Sequence, residues 1–156
     1  MRTIIHDIDC FDKIKSDDVI INTCEKNCIG CFNCWVKHPK ICTFNDELKH
    51  FSDVLLSSDS IIIISKCIYG TYSANVKKIL ERVIGYVKPY FCLRNGRIHH
   101  QSRSNKKLNF IVYFYGNIDS NEKELARRLV NLNACNINSN PPIINFVNNI
   151  EEIGDI

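Results

Sequence analysis

Short runs of β-branched and aliphatic residues alternate along the chain with stretches whose apolar residues recur at helical spacing. The run of four isoleucines at 61–64 is typical of a strand buried on both faces of a parallel sheet. The same pattern of apolar runs bounded by turn residues predicts five strands, over residues 2–8, 18–23, 59–65, 108–115 and 143–147.

Helical spacing fills the longer intervals between these strands. One helix is predicted after Asn45, a second over residues 76–87 that Pro89 ends, and a third at the capping-box pair Asp119 and Glu122. Strands alternating with helices predict an α/β fold, a doubly wound parallel five-stranded sheet with helices on both faces. Because 156 residues is the length of one domain, we expect a single domain over 1–156.

Composition and charge narrow the possible classes of protein. The chain is 45% apolar and 24% charged, which are globular values, and its net charge of +3 is too small to indicate a nucleic-acid partner. No apolar run approaches the roughly 18 residues needed to cross a bilayer. The first residues have no signal-peptide core. We therefore expect a cytoplasmic protein that binds neither nucleic acid nor membrane.

The chain has nine cysteines, and five of them lie within residues 24–42. An odd number of thiols cannot pair completely, and a reducing compartment disfavours structural disulfides. Four thiols with the spacing C-x2-C-x2-C-x7-C can converge on one [4Fe–4S] cluster. A tetrahedral zinc site and a reduced loop without metal are the alternatives. The four candidate ligands are Cys28, Cys31, Cys34 and Cys42.

The segment 65–73 joins the predicted central strand to a helix and has the composition of a ligand-binding loop. In doubly wound sheets, ligands bind beyond the C-terminal ends of the strands, where the strand order reverses. Hydroxyl groups, a glycine and aromatic rings can hold a flat ring and hydrogen-bond its edge. The candidate residues are Ser65, Lys66, Cys67, Ile68, Tyr69, Gly70 and Tyr72, together with Gly116 and Asn117 after the next strand.

Residues 65–82 resemble the flavin-contact segment of the flavodoxin-like NAD(P)H-dependent FMN reductases. The family usually has a serine after the strand, a tyrosine four residues on, a Ser-x-x-Leu-Lys run and a final Asp-Arg. This chain has Ser65, Tyr69, Ser-Ala-Asn-Val-Lys at 73–77 and Glu-Arg at 81–82, and Lys66 replaces the usual proline. Residues 30–35 are similar to the Gly-Cys-x-x-Cys-Trp signature of that family, and the four-cysteine spacing is similar to that of the iron-sulfur flavoproteins. The resemblance implies a flavodoxin-like fold, FMN as cofactor, NAD(P)H as co-substrate and a homodimer.

The N-terminal segment departs from the pattern of that family. Its members bind the FMN phosphate with a Gly-Ser-Pro-type loop, whereas residues 7–15 here contain no Gly, Ser or Thr and include Asp7, Asp9 and Asp12. A carboxylate about 4 Å from one phosphate charge costs about 4 kcal/mol at an effective dielectric of 20. The basic connection 90–107 is therefore a second place for an FMN or nicotinamide phosphate, or else a solvated loop or dimer contact.

These features lead to the expectation of an FMN-dependent NAD(P)H oxidoreductase, in which the flavin supplies the redox chemistry and the protein orients it. Tyr72 or Trp35 would wall the ring, and no catalytic acid or base is predicted. Two alternatives stay open. One is a non-enzymatic electron carrier with a cluster on the four cysteines, and the other is a degenerate flavodoxin-like protein that no longer binds FMN and acts through protein contacts.

Overall fold

The computed structural model describes residues 1–9, 15–154 and 156. It contains a parallel sheet, an antiparallel hairpin and three α-helices, with a 3₁₀ turn at Arg82–Tyr86 and another at Ile150–Glu152. The strands and helices are β1 Arg2–His6, β2 Val19–Ile21, α1 Phe51–Ser57, β3 Ser60–Lys66, α2 Ala74–Glu81, β4 Val87–Arg94, β5 Arg97–Ser102, β6 Asn109–Tyr115, α3 Ser120–Ile137 and β7 Ile143–Val147.

The main sheet has five strands in the order β2-β1-β3-β6-β7, and every neighbouring pair is parallel. The predicted α/β class is therefore confirmed, and each of the five predicted strands forms. The central position of β3 explains its composition, because the isoleucines at 61–64 are each 2% exposed or less. A strand covered on both faces needs apolar side chains at every position.

The two faces of the sheet are covered differently. Ile61, Ile63 and Val112 belong to a core cluster to which all three α-helices contribute. Ile4, Ile62 and Ile64 belong to a second cluster, which is packed by Ile150, Ile153 and Ile156 from the end of the chain. Within the described residues, the helical cover of this second face is the single 3₁₀ turn that contains Ile150.

The predicted long helix over 76–87 is wrong in its second half. Helix α2 ends at Glu81, a 3₁₀ turn follows, and Pro89 lies inside strand β4. The register of β4 against β5 shifts between Val87 and Phe91, so the proline occupies an irregular stretch where its missing N–H breaks no regular ladder bond. Gly85 makes the turn possible, because a Cβ there would stand 2.6 Å from the Ser52 Oγ atom.

The basic connection 90–107 is also more ordered than predicted, because most of it forms the β4–β5 hairpin. Asn95 and Gly96 have φ values of +50° and +73°, as the two central residues of a type I′ turn require. The Asn-Gly pair is the sequence signal for this hairpin. Helix α1 likewise starts later than predicted, at Phe51, because the turn before it is held by Asp46, whose Oδ1 accepts from the Leu48 N–H at 3.2 Å.

Candidate functional site

The strand order reverses between β1 and β3, so the segments that follow these two strands flank the switch point of the sheet. The carboxylate of Asp7 lies at this point. It accepts hydrogen bonds from the Lys66 backbone N–H at 3.0 Å and from the Tyr115 hydroxyl at 3.1 Å, and the Ser65 hydroxyl lies 3.4 Å away. Asp7 therefore ties together the C-terminal ends of β1, β3 and β6.

This network places a negative charge where the resemblance predicts a flavin. Burial raises the pKa of Tyr115 well above its ordinary value, and the charge of Asp7 and its hydrogen bond raise it further. Asp9, two residues on, is exposed, and its charge also raises the pKa of Tyr115. The predicted contribution of Asp12 lies outside the described residues.

Two of the predicted flavin contacts lie inside the fold. Ser65 is fully buried, and its Oγ accepts a hydrogen bond from the Ser73 N–H at 2.9 Å, which fixes the start of α2. Tyr72 is 2% exposed, and its ring stacks on Phe114 with centroids 5.2 Å apart. Burial raises the pKa of Tyr72 to about 12. Both side chains therefore serve the core in this structure.

The remaining predicted contacts form a tight turn and its surroundings. The N–H and C=O groups of Ile68 and Thr71 pair reciprocally, and Tyr69 and Gly70 both have positive φ. Tyr69 consequently points away from the core and is 85% exposed, whereas Gly70 packs against α3. Burial raises the pKa of the Cys67 thiol, so this cysteine is not an activated nucleophile. Lys66 and Asn117 are exposed, and Gly116 directly follows β6.

The four cysteines of the C-x2-C-x2-C-x7-C pattern line one small cavity of about 30 Å³. All four are free thiols, of which one is exposed and three are half-buried. Their convergence was predicted from spacing alone, and the structure brings them to the same place. These residues are Cys28, Cys31, Cys34 and Cys42.

Left-handed backbone conformations fold the loop around this cavity. Gly30, Phe32 and Lys40 have φ values of +64°, +55° and +75°. The indole N–H of Trp35 donates to the Ile84 carbonyl at 2.6 Å, which fastens the loop to the turn after α2. The Cys42 N–H donates to the Lys49 carbonyl at 2.9 Å and returns the fourth thiol to the cavity.

A buried arginine borders the same cavity. The guanidinium of Arg82 donates to both carboxylate oxygens of Asp46, at 2.8 and 2.9 Å, and its Nη2 lies 3.2 Å from the Cys42 sulfur. Both ion-pair partners are nearly inaccessible to solvent, and the pair lowers the pKa of Asp46. The Arg82 Nε atom has no hydrogen-bond partner within the part of the chain that the structure describes.

Arg82 entered the sequence analysis only as part of the resemblance, and its place beside the cysteines was not predicted. The available signal was a charged residue within the apolar stripe 76–87. Asp46 gave no such signal, because an acidic residue near a predicted helix start is explained equally well by the helix dipole.

Burial raises the pKa of the Cys34 thiol, and the neighbouring Cys42, Cys28 and Cys31 raise it further. Ionisation of Cys34 is therefore disfavoured unless a positive centre compensates it. Among residues 1–9, 15–154 and 156, no group of three or more His, Cys, Asp or Glu side chains is arranged to hold a metal ion. The thiols thus share a cavity without meeting at one point.

The basic residues of the hairpin bind carbonyl groups of the protein itself. Arg94 donates to the Cys135 and His100 carbonyls, and Arg103 donates to the Gly85 carbonyl at 2.9 Å. These two guanidinium groups fasten the hairpin to α3 and to the turn after α2. Fewer of their N–H groups are therefore left to bind a phosphate.

Comparisons with protein-family profiles, curated proteins and solved structures found no match to this chain. None of the described helices is both long enough and apolar enough to span a bilayer.

Proposed function

We propose that the protein is an electron carrier whose redox centre is a [4Fe–4S] cluster held by Cys28, Cys31, Cys34 and Cys42. The observation that carries this proposal is the convergence of these four thiols on one cavity bordered by the buried Arg82. The first three of these residues have the C-x2-C-x2-C spacing that occurs in bacterial ferredoxins.

The donor set suits a cluster better than a single ion. No carboxylate or imidazole lines the cavity among the described residues, so its ligands are thiols alone. Four thiolates around one zinc ion, with Zn–S distances of about 2.3 Å, must meet at a point. A four-iron cluster spreads its thiolates over the corners of a larger body, so its four ligands need not meet at one point.

The surroundings of the cavity fit an anionic centre. Arg82, Lys40 and Lys49 line it, although Asp46 pairs with Arg82 and Asp53 pairs with Lys40. A cluster bound there would exchange one electron at a time. The protein would supply the thiolates, a hydrogen bond from Arg82 to the Cys42 sulfur, and apolar cover from Phe32, Phe44 and Ile84 that keeps water away.

Anaerobic reconstitution with ferrous iron and sulfide tests the proposal. We expect about four irons and four sulfides per chain, with a visible charge-transfer spectrum that bleaches on reduction. Cys42→Ser should lose most of the iron. Cys135→Ser, which alters an exposed thiol on α3 outside this cavity, is the matched control and should keep it.

Two results would contradict the cluster. One is equal iron content in Cys42→Ser and Cys135→Ser, which would show adventitious binding. The other is zinc at about one per chain in protein purified without added metal, together with no iron uptake, which would indicate a mononuclear site.

A second candidate is an FMN-dependent NAD(P)H oxidoreductase with a flavodoxin-like fold, although the described α-helices pack on one face of the sheet. The strand order supports it, because β2-β1-β3-β6-β7 corresponds to the 2-1-3-4-5 order of flavodoxin-like proteins when the hairpin is set aside. The exposed Tyr69 beside the switch point also supports it, as a ring that a flavin could contact. The carboxylate of Asp7 opposes it.

Comparison of riboflavin with FMN tests this second candidate. If the switch point accepts the ring but repels the phosphate, riboflavin binds more tightly than FMN, and Asp7→Asn narrows the difference. Saturable FMN binding tighter than riboflavin binding would indicate a functional phosphate site. Absence of binding by both, in a colourless protein, would favour the degenerate flavodoxin-like alternative.

The oxidoreductase proposal also includes a homodimer and a cytoplasmic location. Sedimentation velocity measures whether the protein is a dimer.

A further inference from the structure

A cavity of about 460 Å³ lies between the hairpin and the main sheet, at the edge opposite the switch point. Ile61 and Phe110, each the second residue of its strand, line it, so it sits at the N-terminal ends of β3 and β6. Its volume is within the roughly 300–1,000 Å³ of small-molecule sites. Protein interiors otherwise contain few voids larger than a water molecule.

One wall of this cavity consists of aromatic rings held in place. Trp35 is fixed by its hydrogen bond to the Ile84 carbonyl, and its ring centroid lies 4.7 Å from that of His100. The His100 ring is fixed in turn by the Lys88 carbonyl at 3.0 Å from Nδ1 and lies 4.8 Å from Phe91. Rings that are already ordered lose little conformational entropy when a flat ligand stacks on them.

The lining also includes polar side chains with unused hydrogen-bonding groups. Asn133 and Asn136 both line the cavity, and their spacing of three residues places them on one face of α3. The Asn133 amide N–H donates to the Tyr72 hydroxyl at 3.4 Å, which leaves its carbonyl oxygen available. Neither the Asn136 amide nor the His99 ring makes a hydrogen bond with any other described residue.

We propose that this cavity binds a planar aromatic molecule of two or three fused rings with a hydroxyl or carbonyl group on its edge. The rings stack in an offset manner against Trp35 and His100, and the edge group hydrogen-bonds to the asparagines of α3. The aromatic wall selects such a ligand over an aliphatic molecule of equal size, because offset stacking adds to the free energy gained by burying apolar area. The proposal concerns binding alone and does not depend on the cysteine centre.

1-Naphthol is a suitable probe, because it has two fused rings and one hydroxyl group and does not alkylate thiols. Trp35 is the one tryptophan of the chain, so its indole N–H gives a single resonance that reports directly on the cavity. We expect saturable one-site binding by calorimetry together with a shift of that resonance. Decahydro-1-naphthol, the saturated comparator, should bind at least tenfold more weakly.

Two asparagine-to-phenylalanine substitutions on α3 test whether the ligand binds in this cavity. Asn136→Phe inserts a ring into the cavity and should abolish the shift, whereas Asn131→Phe places the same exposed ring outside it and should leave the affinity unchanged. The proposal is overturned by the absence of a saturable shift, by equal affinity for the saturated comparator, or by wild-type affinity in Asn136→Phe. The comparator arm uses the unmodified protein, so the test does not depend on folding of the variants.

Discussion

The switch point and the cysteine cavity both bring polar groups together where loops meet, but they differ in how many of those groups already have hydrogen-bond partners. At the switch point, the Asp7 carboxylate receives hydrogen bonds from Lys66 and Tyr115, so the potential ligand contacts satisfy one another. At the cysteine cavity, the four cysteines form no disulfide, and the buried Nε atom of Arg82 has no partner among the described residues.

The difference indicates which region is prepared for a ligand. A network whose members are already paired gains little from a new partner and loses its own bonds on binding. Groups left unpaired in a buried place cost free energy in the unliganded protein, and a ligand that satisfies them recovers it. The charges agree with this contrast, because acidic groups gather at the switch point and basic groups line the cysteine cavity.

Removal of Arg82 should have the largest effect on stability. Arg82→Met leaves the buried Asp46 without its partner and should lower the free energy of unfolding by about 3–5 kcal/mol, measured by urea denaturation. The double variant Arg82→Met/Asp46→Leu should recover part of this loss. Equal stability of the single and double variants would show that the pair contributes nothing beyond packing.

The loss of stability caused by Arg82→Met should also depend on pH. Arg82 lowers the pKa of Asp46 in the folded state, so the pair stabilises the protein above the ordinary aspartate pKa of about 3.9, and this contribution disappears as the pH falls through the folded pKa. The difference in stability between wild type and Arg82→Met should therefore narrow below about pH 4. A difference that is constant from pH 7 to pH 3 would contradict the ion pair.

A substitution at Gly70 tests how firmly the switch-point loop is held on α3. Its φ is +72°, and a Cβ there would stand 2.7 Å from the Leu125 Cβ atom. Gly70→Ala should cost about 2–4 kcal/mol, the sum of a left-handed backbone and an overpacked contact. Gly96→Ala is the control, because its φ is nearly the same and no described atom lies within 4 Å of the added Cβ. It should cost only about 1–2 kcal/mol.

The elements of the fold differ in how well the sequence predicted them. Strand positions followed from local apolar runs, and the capping box of Asp119 and Glu122 formed as expected because both partners lie within one turn. Asn95 and Gly96 carried an equally local turn signal, but the basic residues around them favoured a loop. The 76–87 stripe predicted one helix through Gly85, although α2 ends at Glu81 and Gly85 lies in the 3₁₀ turn that follows.

The sites were harder to predict because their contacts are distant in sequence. Asp46 and Arg82 are 36 residues apart, and Asp7 and Lys66 are 59 apart. The shared location of the four cysteines could be predicted because they lie close together in the sequence. The assignments of Tyr69 and Tyr72 depended on the resemblance, and only the turn geometry decides that the first is exposed and the second is buried.

A charge change at the switch point should have a smaller effect. Asp7→Asn keeps the shape of the side chain but weakens its hydrogen bonds, so we expect a loss of about 1 kcal/mol. The same change should lower the pKa of Tyr115 towards its ordinary value, because Asp7 helps to raise it alongside burial. Phenolate absorbance, with Tyr115→Phe as the baseline, measures this shift. An unchanged Tyr115 titration would mean that Asp7 does not interact with the hydroxyl in solution.

The smallest expected change in stability is for substitution of Tyr69. This substitution also tests most directly whether the switch point and the cysteine cavity bind their ligands independently. Tyr69→Ala removes a side chain that is 85% exposed and should alter the free energy of unfolding by less than about 0.5 kcal/mol. Tyr90→Ala, on the exposed part of the hairpin, is the matched control. If the switch point binds a flavin ring, Tyr69→Ala weakens riboflavin binding more than tenfold while Tyr90→Ala does not. If the cysteine cavity is the redox centre, both variants take up as much iron as the wild type, and a loss of iron in Tyr69→Ala alone would break the separation between the two sites.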